Sequence, residues 1–68
     1  MTSTVISTYL HETSKAKADV VLEGDSYKIN YYDARGELFK TEPFPGKSVW
    51  YVESAAENWA LGIKQLNG

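Results

Sequence analysis

The chain has 68 residues, with seven Lys and Arg against nine Asp and Glu, one His and no Cys. That length supplies material for one core and so for one domain, and without cysteine neither a disulfide staple nor a Cys-based zinc site exists. A net charge of −2 argues against an electrostatic nucleic-acid binder, no apolar run approaches the roughly 20 residues of a membrane span, and residues 2–8 lack the apolar stretch of a signal peptide.

A hydrophobic share of 43% with 13% aromatic residues exceeds what a disordered chain carries, so a core is expected. A domain this small leaves much of its surface in water, and self-association is a common way to bury more. A homodimer is therefore expected.

In chain order, residues 4–11 are rich in β-branched and aromatic types and read as a first strand. Its facing stays open: Val5, Ser7 and Tyr9 or, one residue on, Ile6, Thr8 and Leu10 lie on the core side. Residues 12–15 read as a loop. Residues 16–23 and 26–33 follow as two strands joined by Gly24-Asp25, where glycine at the first central position suits a type II′ turn. Asp33-Ala34-Arg35-Gly36 reads as a type I turn with Gly36 in a bulge, leading into a fourth strand over 37–42.

These turns dictate registers. Pairing Glu23 with Ser26 sets Val20 opposite Ile29 and Ala18 opposite Tyr31; pairing Asp33 with Glu37 sets Tyr31 opposite Phe39 and Ile29 opposite Thr41. One face then gathers Ala18, Val20, Leu22, Tyr27, Ile29, Tyr31 and Phe39. The other holds Lys17, Asp19, Val21, Lys28, Asn30, Tyr32, Leu38, Lys40 and Glu42, with Lys28 across from Glu42 as a favourable pair.

Pro43 ends the fourth strand or marks an edge, and Pro45-Gly46 suits a type II turn. Ser48 is the expected N-cap of a helix running to about Leu66 and stopping at Asn67-Gly68; a start at Ser54, which opens the capping box Ser54-Ala55-Ala56-Glu57, is the alternative. Val49, Val52, Ala55, Ala56, Trp59, Ile63 and Leu66 form one apolar stripe, and the stripe favours the longer helix. The fold class is α+β: a four-stranded antiparallel meander with one C-terminal helix packed on one face.

Catalytic chemistry finds little to work with. His11 is the one base of the usual kind for activating a nucleophile, and it sits at a strand end beside Glu12. The carboxylates fall on turns and solvent faces and match no metal loop, and Gly24, Gly36, Gly46, Gly62 and Gly68 form no phosphate-binding pattern. Gly62 is expected to let the helix sit close to the sheet. No enzyme activity, cofactor or metal is expected.

One helix covers one face of such a sheet, which leaves Val21, Tyr32 and Leu38 on an open face ringed by Lys17, Lys28, Asn30 and Lys40. These three form a candidate partner-binding patch; strand preference alone also accounts for them. Trp50 and Leu61 point away from the helix stripe and are the second candidate contact, since Trp is enriched at binding hot spots. Tyr32 with its lysines sketches a base-stacking platform for single-stranded nucleic acid, opposed by Asp19, Glu42 and the acidic chain.

The segments Tyr31-Tyr32-Asp33-Ala34-Arg35-Gly36-Glu37-Leu38-Phe39, Phe44-Pro45-Gly46-Lys47-Ser48 and Ala55-Ala56-Glu57-Asn58-Trp59-Ala60-Leu61-Gly62-Ile63 resemble small uncharacterised proteins encoded by tailed phages of marine bacteria. The resemblance covers about the last 40 residues and supplies no site residues. It implies an accessory or virion-associated protein acting inside an infected cell.

Overall fold

The computed structural model describes residues 3–62. Four strands, β1 (Ser3–Leu10), β2 (Lys17–Glu23), β3 (Ser26–Tyr32) and β4 (Leu38–Phe44), precede one helix, α1 (Val49–Ala60). The strands form a single antiparallel meander in the order β1-β2-β3-β4, with the helix packed against it. The α+β expectation holds.

The first hairpin follows its turn chemistry. Gly24 has φ 66° and Asp25 does not share the positive φ, as a type II′ turn requires. Register follows: Glu23 opposite Ser26, Val20 opposite Ile29, Ala18 opposite Tyr31. In the second hairpin the turn also forms as read. The Gly36 N–H donates to the Asp33 carbonyl, the Asp33 N–H donates to the Glu37 carbonyl, and the Asp33 carboxylate accepts from the N–H groups of Arg35 and Glu37.

Two residues later the register departs from expectation. A second bulge inserts Phe39, so that Tyr32 faces Leu38 but Tyr31 faces Lys40, Ile29 faces Glu42 and Lys28 faces Pro43. The extra residue turns the rest of β4 over. Lys40 and Glu42 stand on the helix side, not the open side, and the Lys28–Glu42 pair does not form. Lys28 instead bridges to Glu23 at 2.9 Å. β4 also continues through Pro43 to Phe44 and does not end at Glu42.

β1 contains its own bulge, at Ile6 between Val5 and Ser7. Of the two facings considered, the first holds for Ser7 and Tyr9 but not for Val5, and Thr8 and Leu10 face away from the helix. Ser7 and Tyr9 share the helix side with Val20 and Ala18, whereas Val5 pairs with Val21 on the opposite side.

Ser48, with φ −78° and ψ 164°, caps α1 by accepting the Tyr51 N–H, so the helix begins there and not at Ser54. It ends at Ala60, six residues before Leu66. Gly62, at φ 81°, donates to the Trp59 carbonyl, and the Glu12 N–H donates to the carbonyl of Ala60, satisfying groups a helix end leaves open. Gly62 thus terminates the helix; close approach to the sheet comes from Ala55, Ala56 and Ala60. Ile63, Leu66 and the Asn67-Gly68 stop lie outside the described residues.

The core joins Ala18, Val20, Ile29 and Tyr31 of the sheet to Val52 and Ala56 of the helix, flanked by Tyr9, Tyr27, Phe44, Ala55 and Trp59. The helix lies over β1, β2 and β3 and meets β4 at its last residue, where the Phe44 and Tyr51 rings are 5.9 Å apart.

Candidate interaction surface

On the face away from the helix, register sorts the side chains into rows across the sheet. One end carries Leu10, Lys17, Tyr32 and Leu38; the next row is Thr8, Asp19, Asn30 and Thr41; the third is Val5, Val21, Lys28 and Pro43. The middle row is polar and satisfied from within, since the Thr8 hydroxyl donates to Asp19 at 2.9 Å and the Thr41 hydroxyl to Asn30 at 2.9 Å.

This arrangement corrects the candidate patch. Val21 is only 3% exposed, so it offers a partner almost nothing. It also stands four residues along the strand from the Tyr32 row, about 13 Å at the usual strand rise. Tyr32 and Leu38 do sit side by side, with Leu38 54% exposed and Tyr32 half-buried. The Lys17 ammonium lies 5.2 Å from the Tyr32 ring centroid and occupies the ring face that a base would need. Lys40, the third lysine of the stacking constellation, has moved to the other side of the sheet.

Along the helix, Trp50 is 77% and Leu61 50% exposed. Eleven residues separate them, so they lie about 16 Å apart along the axis, with Ser54 and Glu57 between. They are two separate apolar points.

The bulge at Phe39 builds a third surface that the sequence reading lacked. Because the helix lies over the first three strands, the helix-side face of β4 is left beside it as a shoulder. Phe39, expected beneath the helix, is 56% exposed there. Its ring leans on Tyr31 at 6.3 Å, Tyr31 meets Trp59 edge-on at 5.1 Å, and Trp59 meets His11 at 5.1 Å. The result is an aromatic row from the β1–β2 loop to the sheet edge. Lys40 holds its ammonium 5.5 Å from the centre of the Tyr31 ring, and the Tyr31 hydroxyl donates to Glu42 at 3.1 Å. Burial, with the charge and hydrogen bonding of Glu42, pushes the Tyr31 phenol well above its ordinary value.

His11 has a structural occupation. Its Nδ1 accepts the N–H groups of Thr13 and Ser14, each at 3.2 Å, which shapes the β1–β2 loop. Glu53 is likewise engaged: both Ser7, at 2.7 Å, and Tyr9 donate to its carboxylate, pinning α1 to β1. The hydrogen bond to Glu53 is the main reason the Tyr9 phenol is pushed up to about 12, followed by burial and the charges of Glu53 and Glu57. Among the described residues no group of three or more His, Cys, Asp or Glu is placed to hold a metal ion, and no helix is long and apolar enough to cross a membrane.

Comparison with protein-family models, with curated proteins and with solved structures returned no match, so the geometry carries the functional reading by itself.

Proposed function

We propose that this chain is a non-enzymatic protein-interaction module that associates with itself as a homodimer. One observation carries the reading. Val5, Ile6, Leu10, Leu38, Phe39, Trp50, Tyr51 and Leu61 all keep 42% or more of their surface in water, while the largest fully buried side chains are Ile29, Val20 and Val52. Among the described residues the chain exposes more bulky apolar side chains than it encloses, and a body of this size gains stability by covering some of them with a partner. The alternative, a single-stranded nucleic-acid binder on the open sheet face, draws support from Tyr32 beside Lys17 and is opposed by the net charge of −2.

Sedimentation equilibrium from micromolar to millimolar concentration tests the proposal. The expected average mass rises from the 7.6 kDa of one chain toward twice that value. A single-chain mass throughout contradicts it, and salt-sensitive binding of a single-stranded oligonucleotide by the monomer replaces it with the alternative.

A further inference from the structure

We infer that the dimer contact is the outer edge of β4, where two copies pair antiparallel about a two-fold axis at Thr41. The inference rests on the self-association proposed above and assigns it a surface.

The backbone groups available at this edge follow from the first hairpin. A two-residue turn makes Glu23 and Ser26 a hydrogen-bonded pair. Alternation then directs the N–H and C=O groups of Ser26, Lys28 and Asn30 toward β2, and those of Tyr27, Ile29 and Tyr31 toward β4. Lys40, Glu42 and Phe44 oppose these last three, so their backbone groups are spent inside the sheet. Thr41 and Pro43 point their backbone groups outward. The position of Pro43 agrees, because an edge strand tolerates proline where the missing N–H would have faced solvent. Among the described residues, Thr41 consequently presents one free N–H and one free C=O on an exposed residue.

Antiparallel pairing of Thr41 with Thr41 of a second copy satisfies both groups twice, once in each direction. The same axis sets Lys40 opposite Glu42 of the second copy, and Glu42 opposite its Lys40, on the helix side of both sheets. Charge complementarity is thus built into three consecutive residues. The bulge at Phe39 and the proline at 43 bound the open stretch at both ends, which permits this one register and obstructs continued strand addition. β1, the other edge, carries no charged residue between Ser3 and Leu10 and has no comparable self-complementary pattern.

Charge reversal tests the assignment. Lys40→Glu and Glu42→Lys each turn two attractive pairs per dimer into repulsive ones, and each is expected to weaken dimerisation by about tenfold or more. The Lys40→Glu/Glu42→Lys double variant re-forms both pairs in reverse and is expected to return to within about threefold of the parent chain. Thr41→Pro deletes the outward N–H without touching bonds to β3 and is expected to leave a monomer with an unchanged circular dichroism spectrum. In the unmodified chain, amide shifts that change with concentration are expected to centre on residues 39–43. A dimer indifferent to Lys40→Glu, Glu42→Lys and Thr41→Pro, with shifts centred on Trp50, Leu61 or the Tyr32–Leu38 row, overturns this edge and leaves self-association standing. A parent chain that never dimerises overturns both.

Discussion

Replacing Phe39 by Ala probes directly the exposed position of its ring on the helix-side face of β4. Slightly less than half of the Phe39 surface is covered, and its ring centroid lies 6.3 Å from that of Tyr31. Burying a whole Phe side chain stabilises by about 1.5–3 kcal/mol, so this partial cover is worth about 1 kcal/mol. The site is open, so no enclosed cavity adds to the loss. Had Phe39 lain beneath the helix, as the sequence led us to expect, truncation would leave a cavity and cost about 3–5 kcal/mol. The two placements therefore differ by a factor of three or more. Urea unfolding at low micromolar concentration, followed by circular dichroism, separates them if the slope of the transition is unchanged. Ile29→Val serves as the calibration: the side chain is fully buried, and losing one methylene is expected to cost about 1 kcal/mol. A Phe39→Ala loss of about 3 kcal/mol or more would place the ring in the core and refute its exposed position on β4.

Three further outcomes follow from the hydrogen bonds. Tyr9 ionises at about 12 in the folded chain against 10.0 in the unfolded one, so its contribution is complete below pH 10 and disappears as pH rises from 10 to about 12; Tyr9→Phe is expected to flatten the stability profile in that window. Asp33 behaves oppositely. The N–H of Glu37, aided by Arg35, holds its carboxyl below the ordinary 3.8, so the stabilisation is present above that pH and fades as pH falls through the folded value. Acid titration of Asp33→Asn is expected to show less loss over this range than the parent. His11→Phe keeps a ring against Trp59 but removes the Nδ1 acceptor, and faster hydrogen exchange is expected at the amides of Thr13 and Ser14 with little change in β3.

The first hairpin was legible because a two-residue loop with glycine leading admits few geometries, and the register then follows. The second hairpin was legible only as far as its turn. A bulge after the turn demands no particular residue, and Phe39-Lys40-Thr41-Glu42 alternates apolar with polar too weakly to choose a face. A signal was nevertheless present at Pro43. In the unbulged register it opposes Tyr27, a position where β4 must donate an N–H; one inserted residue moves it opposite Lys28, where none is needed. The same shift brings Phe44 opposite Tyr27 and onto the core.

β1 was ambiguous for a different reason. Its apolar residues Val5, Ile6 and Leu10 are all exposed, so hydrophobic pattern holds no information about facing. Ser7 and Tyr9 turn toward the helix because Glu53 accepts from both, a polar tie between residues more than 40 apart in sequence. The helix start was readable from Ser48; its end was overrun because the apolar stripe continues past Gly62. Of the candidate contact residues, Tyr32, Leu38, Trp50 and Leu61 retain exposure, Val21 does not, and the aromatic shoulder went unseen because it depends on the bulge.

Everything on the β4 side turns on which residues oppose β3, and proton–proton contacts across that ladder decide it. In antiparallel pairs without mutual hydrogen bonds the Cα atoms approach to about 4.5 Å, bringing the α protons together. Cross-peaks between the α protons of Asn30 and Thr41, and of Lys28 and Pro43, are the expected result. Cross-peaks joining Asn30 to Lys40 and Lys28 to Glu42 in their place would contradict the register, the exposed Phe39 and the self-complementary edge together.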